Sequence, residues 1–232
     1  MIKKLKSLCR NAFSQTMQWT LRILVYPAFR PQLVFASPEA KRNFPEGPCV
    51  LISNHVTMLD AGPIETLLHK KHFYGLTAAD IIRDYKFIGW FLSFLPAIPI
   101  NRENVSLTWL REGRRLLKAG NSIYLCPEGH CNYDKVISDF KPGFVTLAAL
   151  ANVPVVPLYH NGEFNYFFGK RFKLIVGEPI HLQMPPEGMT DEFMRTESAK
   201  ATSIVRELEK QLIGYNHKAD ALPEKSDSAK KE

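Results

Sequence analysis

The sequence predicts an α/β fold, a mostly parallel sheet flanked by helices, preceded by an amphipathic N-terminal membrane-surface helix. Short apolar runs alternate with helical patterns over residues 33–214, an alternation typical of α/β units around a parallel sheet. Before this domain, residues 1–32 combine basic and apolar side chains at helical spacing. After it, residues 215–232 are polar and mixed in charge, which predicts a disordered tail.

The individual elements follow from these runs in chain order. We expect strands at Leu33–Ala36, Cys49–Ser53, Phe73–Thr77, Ala97–Ile100, Ser122–Cys126, Val153–Tyr159 and Arg171–Val176. We expect helices at Ile64–Lys70, Asn104–Lys118, Gly143–Ala151 and Asp191–Ile213. Gly120 ends the second of these helices, and Thr190 is a suitable N-cap for the last.

Length and composition indicate one globular domain. The chain has 232 residues, of which 45% are hydrophobic and 11% aromatic, which is enough for a substantial core and excludes a disordered chain. The four cysteines (Cys9, Cys49, Cys126 and Cys131) have no spacing typical of a disulfide framework. A reducing compartment is therefore the simpler interpretation.

The positive charge is confined to the N-terminal part of the chain. The net charge is +7, and residues 1–42 hold eight basic residues against one acidic residue, while the remainder has 22 of each. A nucleic-acid-binding domain would carry basic residues over a whole face of the fold. We therefore expect no nucleic-acid partner.

The N-terminal segment has the pattern of a membrane-surface helix. An apolar face is formed by Ile2, Leu5, Leu8, Cys9, Ala12, Trp19 and Ile23. The lysines at positions 3, 4 and 6 lie away from this face, as in helices that lie in the headgroup region of anionic lipid. The alternative is a surface helix packed on the domain.

The most apolar stretch elsewhere, residues 87–100, has 14 residues and two prolines, which is too short to span a bilayer. We expect a peripheral or monotopic protein on the cytoplasmic face of a membrane.

Polar clusters follow three of the predicted strands. One begins at Asn54, a second is Asn101-Arg102, and the third is Pro127-Glu128-Gly129. Ligands of open α/β sheets bind beyond the carboxyl ends of the strands. If the three strands are parallel, the three clusters converge on one crevice.

His55 and Asp60 are the candidate catalytic pair. Pro63 is tolerated only in the first turn of a helix, so the helix should begin just after Asp60 and leave His55 in the preceding turn. The turn can bring the imidazole onto the carboxylate, which would hold one tautomer and stabilise the imidazolium. The alternative is that Asp60 is only an N-cap and His55 an exposed turn residue.

Arg102 and Glu128 are candidate substrate-binding residues. Arg102 ends an apolar strand and could bind a phosphate through two hydrogen bonds. Glu128 lies in a tight turn, where it could accept a hydrogen bond from a substrate or orient Arg102. The alternatives are a solvent-facing arginine and an ordinary acidic turn residue.

The order of these clusters resembles the glycerolipid acyltransferase family, typified by 1-acylglycerol-3-phosphate acyltransferases. The motifs that carry the resemblance are Asn54-His55-x4-Asp60, Pro99-Ile100-Asn101-Arg102, Pro127-Glu128-Gly129, Phe140-Lys141-Pro142-Gly143-Phe144 and Val153-Pro154-Val155-Val156-Pro157. They cover roughly residues 35–180, and their order makes the signal much stronger than any single motif.

The resemblance implies an enzyme that transfers a fatty acyl group from acyl-CoA or acyl carrier protein to a lysophospholipid hydroxyl in phospholipid biosynthesis. It implies a direct attack assisted by His55 and Asp60, with no covalent acyl-enzyme, no metal and no cofactor beyond the thioester co-substrate. Arg102, Glu128 and Gly129 match the family's acceptor-binding positions. The alternative is a non-catalytic lipid-binding member of the same family.

The chain departs from the family after Gly129. The family usually continues with Thr-Arg-Ser, whereas His130-Cys131-Asn132 follows here. This change removes a hydroxyl and a guanidinium from the expected phosphate site, and Lys141 could supply the missing charge. Cys126, His130 and Cys131 also leave a metal site open as an alternative, although their spacing matches no zinc pattern.

Overall fold

The computed structural model describes residues 23, 26, 30–58, 60–69, 71–78, 97–100, 107–165 and 168–214. The strands of this part are β1 Gln32–Phe35, β2 Val50–Ser53, β3 Phe73–Ala78, β4 Ala97–Ile100, β5 Ser122–Leu125, β6 Val155–His160 and β7 Lys173–Val176. Its helices are α1 Pro38–Arg42, α2 Ala61–Leu67, α3 Thr108–Lys118, α4 Gly143–Ala151 and α5 Asp191–Ile213. Arg102, the tail and nearly all of the predicted N-terminal helix lie outside the described residues.

The strands form one seven-stranded sheet in the order β1-β7-β6-β2-β5-β3-β4. β6, β2, β5, β3 and β4 are mutually parallel. β7 is antiparallel to β6 and parallel to β1. The sheet is mostly parallel and flanked by helices, which confirms the predicted fold class.

Both faces of the central strands are buried. Val50 and Ile52 point to one face and belong to a core cluster with α3, α4 and α5, whereas Leu51 points to the other and packs with Ile64 of α2. Successive side chains of a strand alternate between faces, and a parallel sheet covered on both faces needs a continuous apolar strand. This requirement explains the sequence Val-Leu-Ile in β2.

The long helix α5 begins and ends where the sequence predicts. The Thr190 side chain accepts a hydrogen bond from the backbone N–H of Phe193 at 3.1 Å, and Gly214 closes the helix with φ of +81°. Ala201, Val205 and Leu208 form its buried stripe, at the i, i+4, i+7 spacing of an amphipathic helix. The helix covers β6 and β7 and contacts α4.

Several element bounds differ from the sequence expectation. α2 is Ala61–Leu67 rather than Ile64–Lys70, α3 begins at Thr108 rather than Asn104, and β7 begins at Lys173 rather than Arg171. Two further differences have a local cause. The five-residue helix α1 was not predicted; it is capped by Ser37, whose Oγ accepts from the Ala40 N–H at 2.9 Å. β6 begins at Val155 rather than Val153, since Pro154 has no N–H to donate to a ladder. Within the described part of the chain, no helix combines the length and the apolar character needed to cross a membrane.

Candidate active site

The carboxyl ends of neighbouring parallel strands bring three polar segments together. β2 pairs with β5 on one side and with β6 on the other. The segments that follow β2 and β5 begin at Asn54 and Cys126, and β6 ends at His160. The crevice expected beyond the strand ends therefore includes the end of β6, which the sequence analysis did not consider.

His55 and Asp60 contact each other directly. His55 Nδ1 lies 2.8 Å from Asp60 Oδ2. The His55 side chain is 20% exposed and that of Asp60 only 2%. The imidazole can therefore meet a substrate while the carboxylate behind it is shielded, which is the arrangement of a catalytic His–Asp pair.

The turn between these two residues is built around the carboxylate. The backbone N–H of Val56 donates to Asp60 Oδ2 at 2.8 Å, and Thr57 donates to Asp60 Oδ1 through both its N–H and its hydroxyl at 3.1 Å. Asp60 occupies the N-cap position of α2, but its side chain makes no capping hydrogen bond there. The carboxylate thus organises the His55 turn and does not cap the helix.

His160 is a member of this site that the sequence analysis missed. Its side chain is fully buried, and its Nε2 lies 3.4 Å from Asp60 Oδ2, on the same oxygen that His55 contacts. It stacks on Phe172 with the ring centroids 5.2 Å apart. A polar residue at the end of the Val-Pro-Val-Val-Pro strand was the available signal, by the same rule that singled out Asn54 and Glu128.

Asn54 joins the ends of β2 and β6. Its Nδ2 donates to the carbonyl oxygen of His160, and its Oδ1 accepts from the His160 N–H, both at 2.9 Å. The Asn54 carbonyl oxygen lies 3.2 Å from His160 Nε2. This two-way pairing sets the position of His160 relative to the His55 turn.

Glu128 connects the segment after β5 to the same turn. Its Oε1 accepts from the His55 N–H at 2.8 Å, and its Oε2 accepts from the Ser138 N–H at 2.8 Å and from the Asn132 side-chain amide. The side chain is buried. Both carboxylate oxygens therefore accept hydrogen bonds from protein groups. Through its bond to the His55 N–H, Glu128 positions the backbone of His55.

Cys131 faces the second nitrogen of the His55 ring. Its Sγ lies 3.1 Å from His55 Nε2. The Asn132 N–H donates to the His55 carbonyl oxygen at 2.7 Å, which fixes the backbone next to the cysteine. Asp60, His55 and Cys131 thus form one chain of contacts through both ring nitrogens.

The pKa values of the pair shift in opposite directions. Burial by itself would lower the pKa of His55, but the nearby Cys126 thiol and the hydrogen bond to Asp60 outweigh it and raise the pKa to about 11. Burial would raise the pKa of Asp60, but His160 and then His55 hold it well below its usual range. Burial raises the pKa of Glu128 against the opposing hydrogen bonds from Ser138 and His55.

Lys141 lies beside the turn that contains Gly129. A Cβ atom placed on Gly129 would be 2.7 Å from Lys141 Nζ, and the Lys141 N–H donates to the Pro127 carbonyl oxygen at 3.0 Å. Gly129 has φ of +77°, a conformation that favours glycine. The structure therefore places the Lys141 ammonium group next to the Gly129 turn.

The position of Arg102 is not described, but the strand before it is. β4 is the edge strand and lies three positions from β2, which corresponds to roughly 14 Å at a strand spacing of ~4.8 Å. β4 is parallel to β3, and β3 to β5. The strand before Arg102 thus points to the same edge of the sheet as β2 and β5.

The three residues of the alternative metal site have separate partners. The Cys126 thiol lies 3.3 Å from the Tyr124 hydroxyl, His130 Nδ1 lies 3.1 Å from the Glu128 carbonyl oxygen, and Cys131 contacts His55. Among the residues that the structure describes, no group of three metal-ligating side chains is arranged to hold an ion.

A cavity of about 490 Å³ lies elsewhere, beside β1. Its lining includes Arg30, Leu33, Leu67 and Arg171 and none of the candidate site residues. The chemistry described above is therefore not located in this cavity, and we assign the site from the contacts of His55.

Comparison with known proteins identifies the family. A sequence model described as Acyltransferase matches residues 37–161, more than half of the chain. The chain belongs to the acyltransferase family. The matched region of this acyltransferase-family protein spans α1 to the end of β6, and so contains Asn54, His55, Asp60, Glu128, Cys131 and His160.

Several relatives carry the same name. The chain is 32% identical over 140 residues to the chloroplastic 1-acyl-sn-glycerol-3-phosphate acyltransferase BAT2 of Brassica napus, covering 59% of this chain and 38% of the relative. It is 30% identical over 130 residues to the 1-acyl-sn-glycerol-3-phosphate acyltransferase of Bacillus subtilis (strain 168), covering 55% of this chain and 64% of that one. The chain thus spans 38% to 64% of the lengths of these relatives.

One solved structure supports the fold. The crystal structure of the 1-acyl-sn-glycerophosphate acyltransferase PlsC from Thermotoga maritima aligns with a TM-score of 0.57 at 18% sequence identity, covering 93% of this chain and 84% of that chain. The acyltransferase-family protein therefore shares the architecture of that enzyme.

Proposed function

We propose that this protein transfers a fatty acyl group from acyl-CoA or acyl carrier protein to the hydroxyl of a lysophospholipid, with 1-acylglycerol-3-phosphate as the first candidate acceptor, in phospholipid biosynthesis. The observation that carries the proposal is the His55–Asp60 pair, with Nδ1 2.8 Å from the carboxylate, in a chain of the acyltransferase family. The names of the relatives support the choice of acceptor.

The reaction needs the acceptor hydroxyl to lose its proton as it attacks the thioester carbonyl carbon. In the proposed mechanism, the neutral form of His55 takes that proton at Nε2 and Asp60 stabilises the resulting imidazolium. The bond between the acyl carbon and the carrier sulfur then breaks, and the imidazolium passes the proton to the leaving carrier thiolate. Such base assistance typically contributes ~10²–10⁴ in rate. The thioester supplies the activated acyl group, so the proposed reaction uses no metal and no cofactor beyond this co-substrate.

The acceptor site is proposed from the polar residues around the same edge of the sheet. Arg102 and Lys141 would supply positive charge for a phosphate, and Gly129 would allow the acceptor to approach the turn closely. Glu128 would act through the His55 backbone, to which its Oε1 is bonded at 2.8 Å. In this proposal Lys141, next to Gly129, takes over part of the charge that a family arginine supplies at position 131.

We further propose that the protein acts as a peripheral or monotopic protein on the cytoplasmic face of a membrane. The charge excess of residues 1–42 and the apolar face predicted for the segment 1–32 support this location. Sedimentation with vesicles of phosphatidylglycerol and phosphatidylcholine tests it. Binding that falls as the salt concentration rises supports the proposal, and equal amounts in the supernatant with and without vesicles would contradict it.

The decisive experiment measures carrier-thiol release together with the lipid product. Palmitoyl-CoA or palmitoyl-acyl carrier protein is mixed with 1-oleoylglycerol-3-phosphate or a total lipid extract, and products are identified by mass spectrometry. We expect thiol release coupled to a new acylated lipid, reduced ~10²–10⁴-fold in His55→Ala. The exposed His181 gives the matched control, His181→Ala, with unchanged turnover. Lipid binding without turnover for either donor would instead indicate a non-catalytic lipid-binding member of the family.

A further inference from the structure

The cavity beside β1 is cationic, and the proposed mechanism does not yet use it. Its volume is about 490 Å³, which is within the range of small-molecule binding sites. The lining combines two arginines with polar and apolar side chains, namely Arg30, Arg171, Tyr26, Gln32, Leu33 and Leu67. No acidic residue belongs to its described lining. The charge of the cavity therefore favours an anionic ligand.

The strand directions place this cavity at the same edge of the sheet as His55. β7 is antiparallel to β6, so the start of β7 lies beside the carboxyl end of β6. β1 is parallel to β7 and starts at the same level. Arg30 and Arg171 come just before these two strands, and they therefore lie at the edge where β2 and β6 end.

Two independent routes give the distance from the cavity to the catalytic pair. Leu67 lines the cavity and ends the seven-residue helix α2, of which Asp60 is the N-cap, and at ~1.5 Å per residue this helix spans roughly 10 Å. Across the sheet, β7 lies two strands from β2, again roughly 10 Å at ~4.8 Å per strand. Asn161 connects the two regions, because its Nδ2 donates to the Arg171 carbonyl oxygen at 2.9 Å and its neighbour His160 contacts Asp60.

The described contacts of the two arginines leave most of their donors for a ligand. A guanidinium group carries five N–H donors. Arg30 donates from Nη2 to the Gly169 carbonyl oxygen at 3.3 Å, and Arg171 is exposed. Neither arginine takes part in an ion pair within the described part of the chain, whereas Arg206 is paired with Asp139. A phosphate can accept two hydrogen bonds from one guanidinium group at once.

Arg30 also has a backbone conformation that favours glycine. Its φ is +45°, and its N–H donates to the Tyr26 carbonyl oxygen at 2.8 Å. This conformation is unfavourable for a residue with a Cβ atom, and such outliers are concentrated at active sites and ligand sites. A binding role of the Arg30 side chain accounts for an arginine at this position.

The distance selects between the phosphate groups of the proposed substrates. In 1-acylglycerol-3-phosphate only two carbons and one oxygen separate the reacting hydroxyl from the phosphorus, which is too short to reach from the cavity to His55. In acyl-CoA and in acyl carrier protein, the pantetheine arm separates the thioester from the nearest phosphate. This arm is longer than the distance between the cavity and the catalytic pair, so the phosphate of the thioester carrier is the one that fits.

The other cation at this edge lies on the opposite flank of His55. Lys141 lies beside the Gly129 turn, in the segment after β5, and β5 borders β2 on the side away from β6 and β7. A direct acyl transfer needs both substrates at His55 at the same time. Cations on the two flanks allow the donor and acceptor phosphates to bind together without competing for one site.

We propose that Arg30 and Arg171 bind the phosphate at the far end of the donor's pantetheine arm, which makes the cavity beside β1 the binding site for the thioester carrier. The inference rests on the proposed acyl transfer and specifies where the donor binds. In acyl-CoA this phosphate belongs to the diphosphate, and in acyl carrier protein it is the phosphodiester to the carrier serine. One site therefore serves both donors.

The test compares donors with and without this phosphate. Initial rates of the full-length protein are measured with S-palmitoyl-pantetheine, S-palmitoyl-phosphopantetheine, palmitoyl-CoA and palmitoyl-acyl carrier protein, with 1-oleoylglycerol-3-phosphate or total lipid extract as acceptor. We expect Arg171→Gln to raise the KM of the phosphate-bearing donors by ~10-fold or more. The change in kcat should be much smaller, because the arginine binds the carrier and does not touch the reacting atoms. The KM of S-palmitoyl-pantetheine should not respond to the substitution.

Further variants and a binding measurement support the assignment. Arg30→Gln should give the same pattern, and the double variant should bring the KM of palmitoyl-CoA close to that of S-palmitoyl-pantetheine. Arg195→Gln, at an exposed position of α5, is the matched control and should keep every KM value. Circular dichroism and thermal unfolding show whether each variant folds. Isothermal titration calorimetry with CoA and with holo-acyl carrier protein needs no turnover, and we expect binding that is ~10-fold weaker in Arg171→Gln.

Equal donor KM values in the wild type and both arginine variants would overturn the proposal and leave the acyl transfer intact. So would an Arg171→Gln variant that raises only the KM of the acceptor, or that only weakens sedimentation with phosphatidylglycerol vesicles, since the cavity would then hold a lipid phosphate. An effect confined to one of the two carriers supports the site and identifies the donor. Arginine-dependent carrier binding without turnover of any donor would support the carrier site and contradict the proposed function. Absence of both carrier binding and turnover would contradict both.

Discussion

Asp60 is the residue on which the site depends most. Its two oxygens accept from His55, from the backbone of Val56 and Thr57 and from the Thr57 hydroxyl, and His160 lies 3.4 Å away. Burying a carboxylate is costly unless it is paired and hydrogen-bonded. The surrounding donors offset that cost, and the two histidines hold the pKa of Asp60 low. The result is a fixed negative charge behind a partly exposed imidazole.

We expect Asp60→Asn to lower kcat by ~10²–10⁴-fold with a much smaller change in KM, because an amide can present its N–H to His55 and stabilise the wrong tautomer. Steady-state kinetics with palmitoyl-CoA measures the effect. Asp191→Asn, an exposed aspartate in the first turn of α5, is the matched control and should retain its kcat. Equal kcat values for the two variants would rule out a role of the carboxylate in the reaction.

The pH dependence of stability follows from the pKa of His55. The folded pKa, about 11, lies above the ordinary value of 6.5, so the charged ring stabilises the fold fully below pH 6.5 and this contribution is lost as the pH rises towards 11. We expect the difference in free energy of unfolding between the wild type and His55→Gln to shrink steadily over that range. Urea unfolding at several pH values measures it. A difference that stays constant from pH 6.5 to 10 would refute the shift.

At the scale of elements, the ends of β2 and β6 are joined by one side chain. Asn54 is buried and exchanges two hydrogen bonds of 2.9 Å with the backbone of His160. Hydrogen bonds between parallel strands fix the ladder only up to the last paired residues. The amide of Asn54 extends this alignment into the loop and so controls the distance between His160 and Asp60.

We expect Asn54→Ala to destabilise the protein by ~2–4 kcal/mol, since it leaves the buried N–H and carbonyl of His160 without partners at a cost of ~1–3 kcal/mol each. Activity should fall as well, because His160 is no longer held against Asp60. Asn165→Ala, at an exposed loop position, should change stability by less than ~0.5 kcal/mol. Urea unfolding of both variants makes the comparison, and matching midpoints would contradict the role assigned to Asn54.

At the scale of the whole molecule, the last helix holds the loop that carries Glu128 and Cys131. Ser198 donates to the Phe140 carbonyl oxygen at 2.7 Å, and the Phe140 N–H donates to Thr202 Oγ1 at 3.2 Å. Arg206 adds contacts to the Ile137 carbonyl oxygen and to Asp139. A helix far along the chain thus fixes the segment that follows β5, and through Glu128 it fixes the His55 turn.

We expect the double variant Ser198→Ala, Thr202→Val to increase hydrogen–deuterium exchange in residues 127–141 and to lower kcat, because the buried backbone groups of Phe140 lose both partners. Ser203→Ala, on the exposed side of the same helix, is the control and should leave exchange unchanged. If exchange in residues 127–141 rose equally in both variants, the loop would not be held by these hydroxyls.

The sequence by itself determined the α/β architecture and most element positions. Apolar strands such as the one predicted at Cys49–Ser53 can be stable only inside a covered sheet, and the predicted cap Thr190 marked where α5 begins. It also predicted that His55 would lie in the turn before a helix, from which it can reach Asp60, since Pro63 restricts where that helix can begin. These features depend on local periodicity and on local backbone chemistry, both of which are visible in the chain.

Only the tertiary structure decided which distant residues meet at the His55–Asp60 pair. His160 is 105 positions away in sequence and Cys131 is 76, so neither contact leaves a periodic signal. The order of the strands, with β2 between β5 and β6, brings Cys131 to the His55 imidazole and His160 to the Asp60 carboxylate. Strand order is set by the packing of the whole sheet, and the sequence pattern of each strand alone is compatible with several orders.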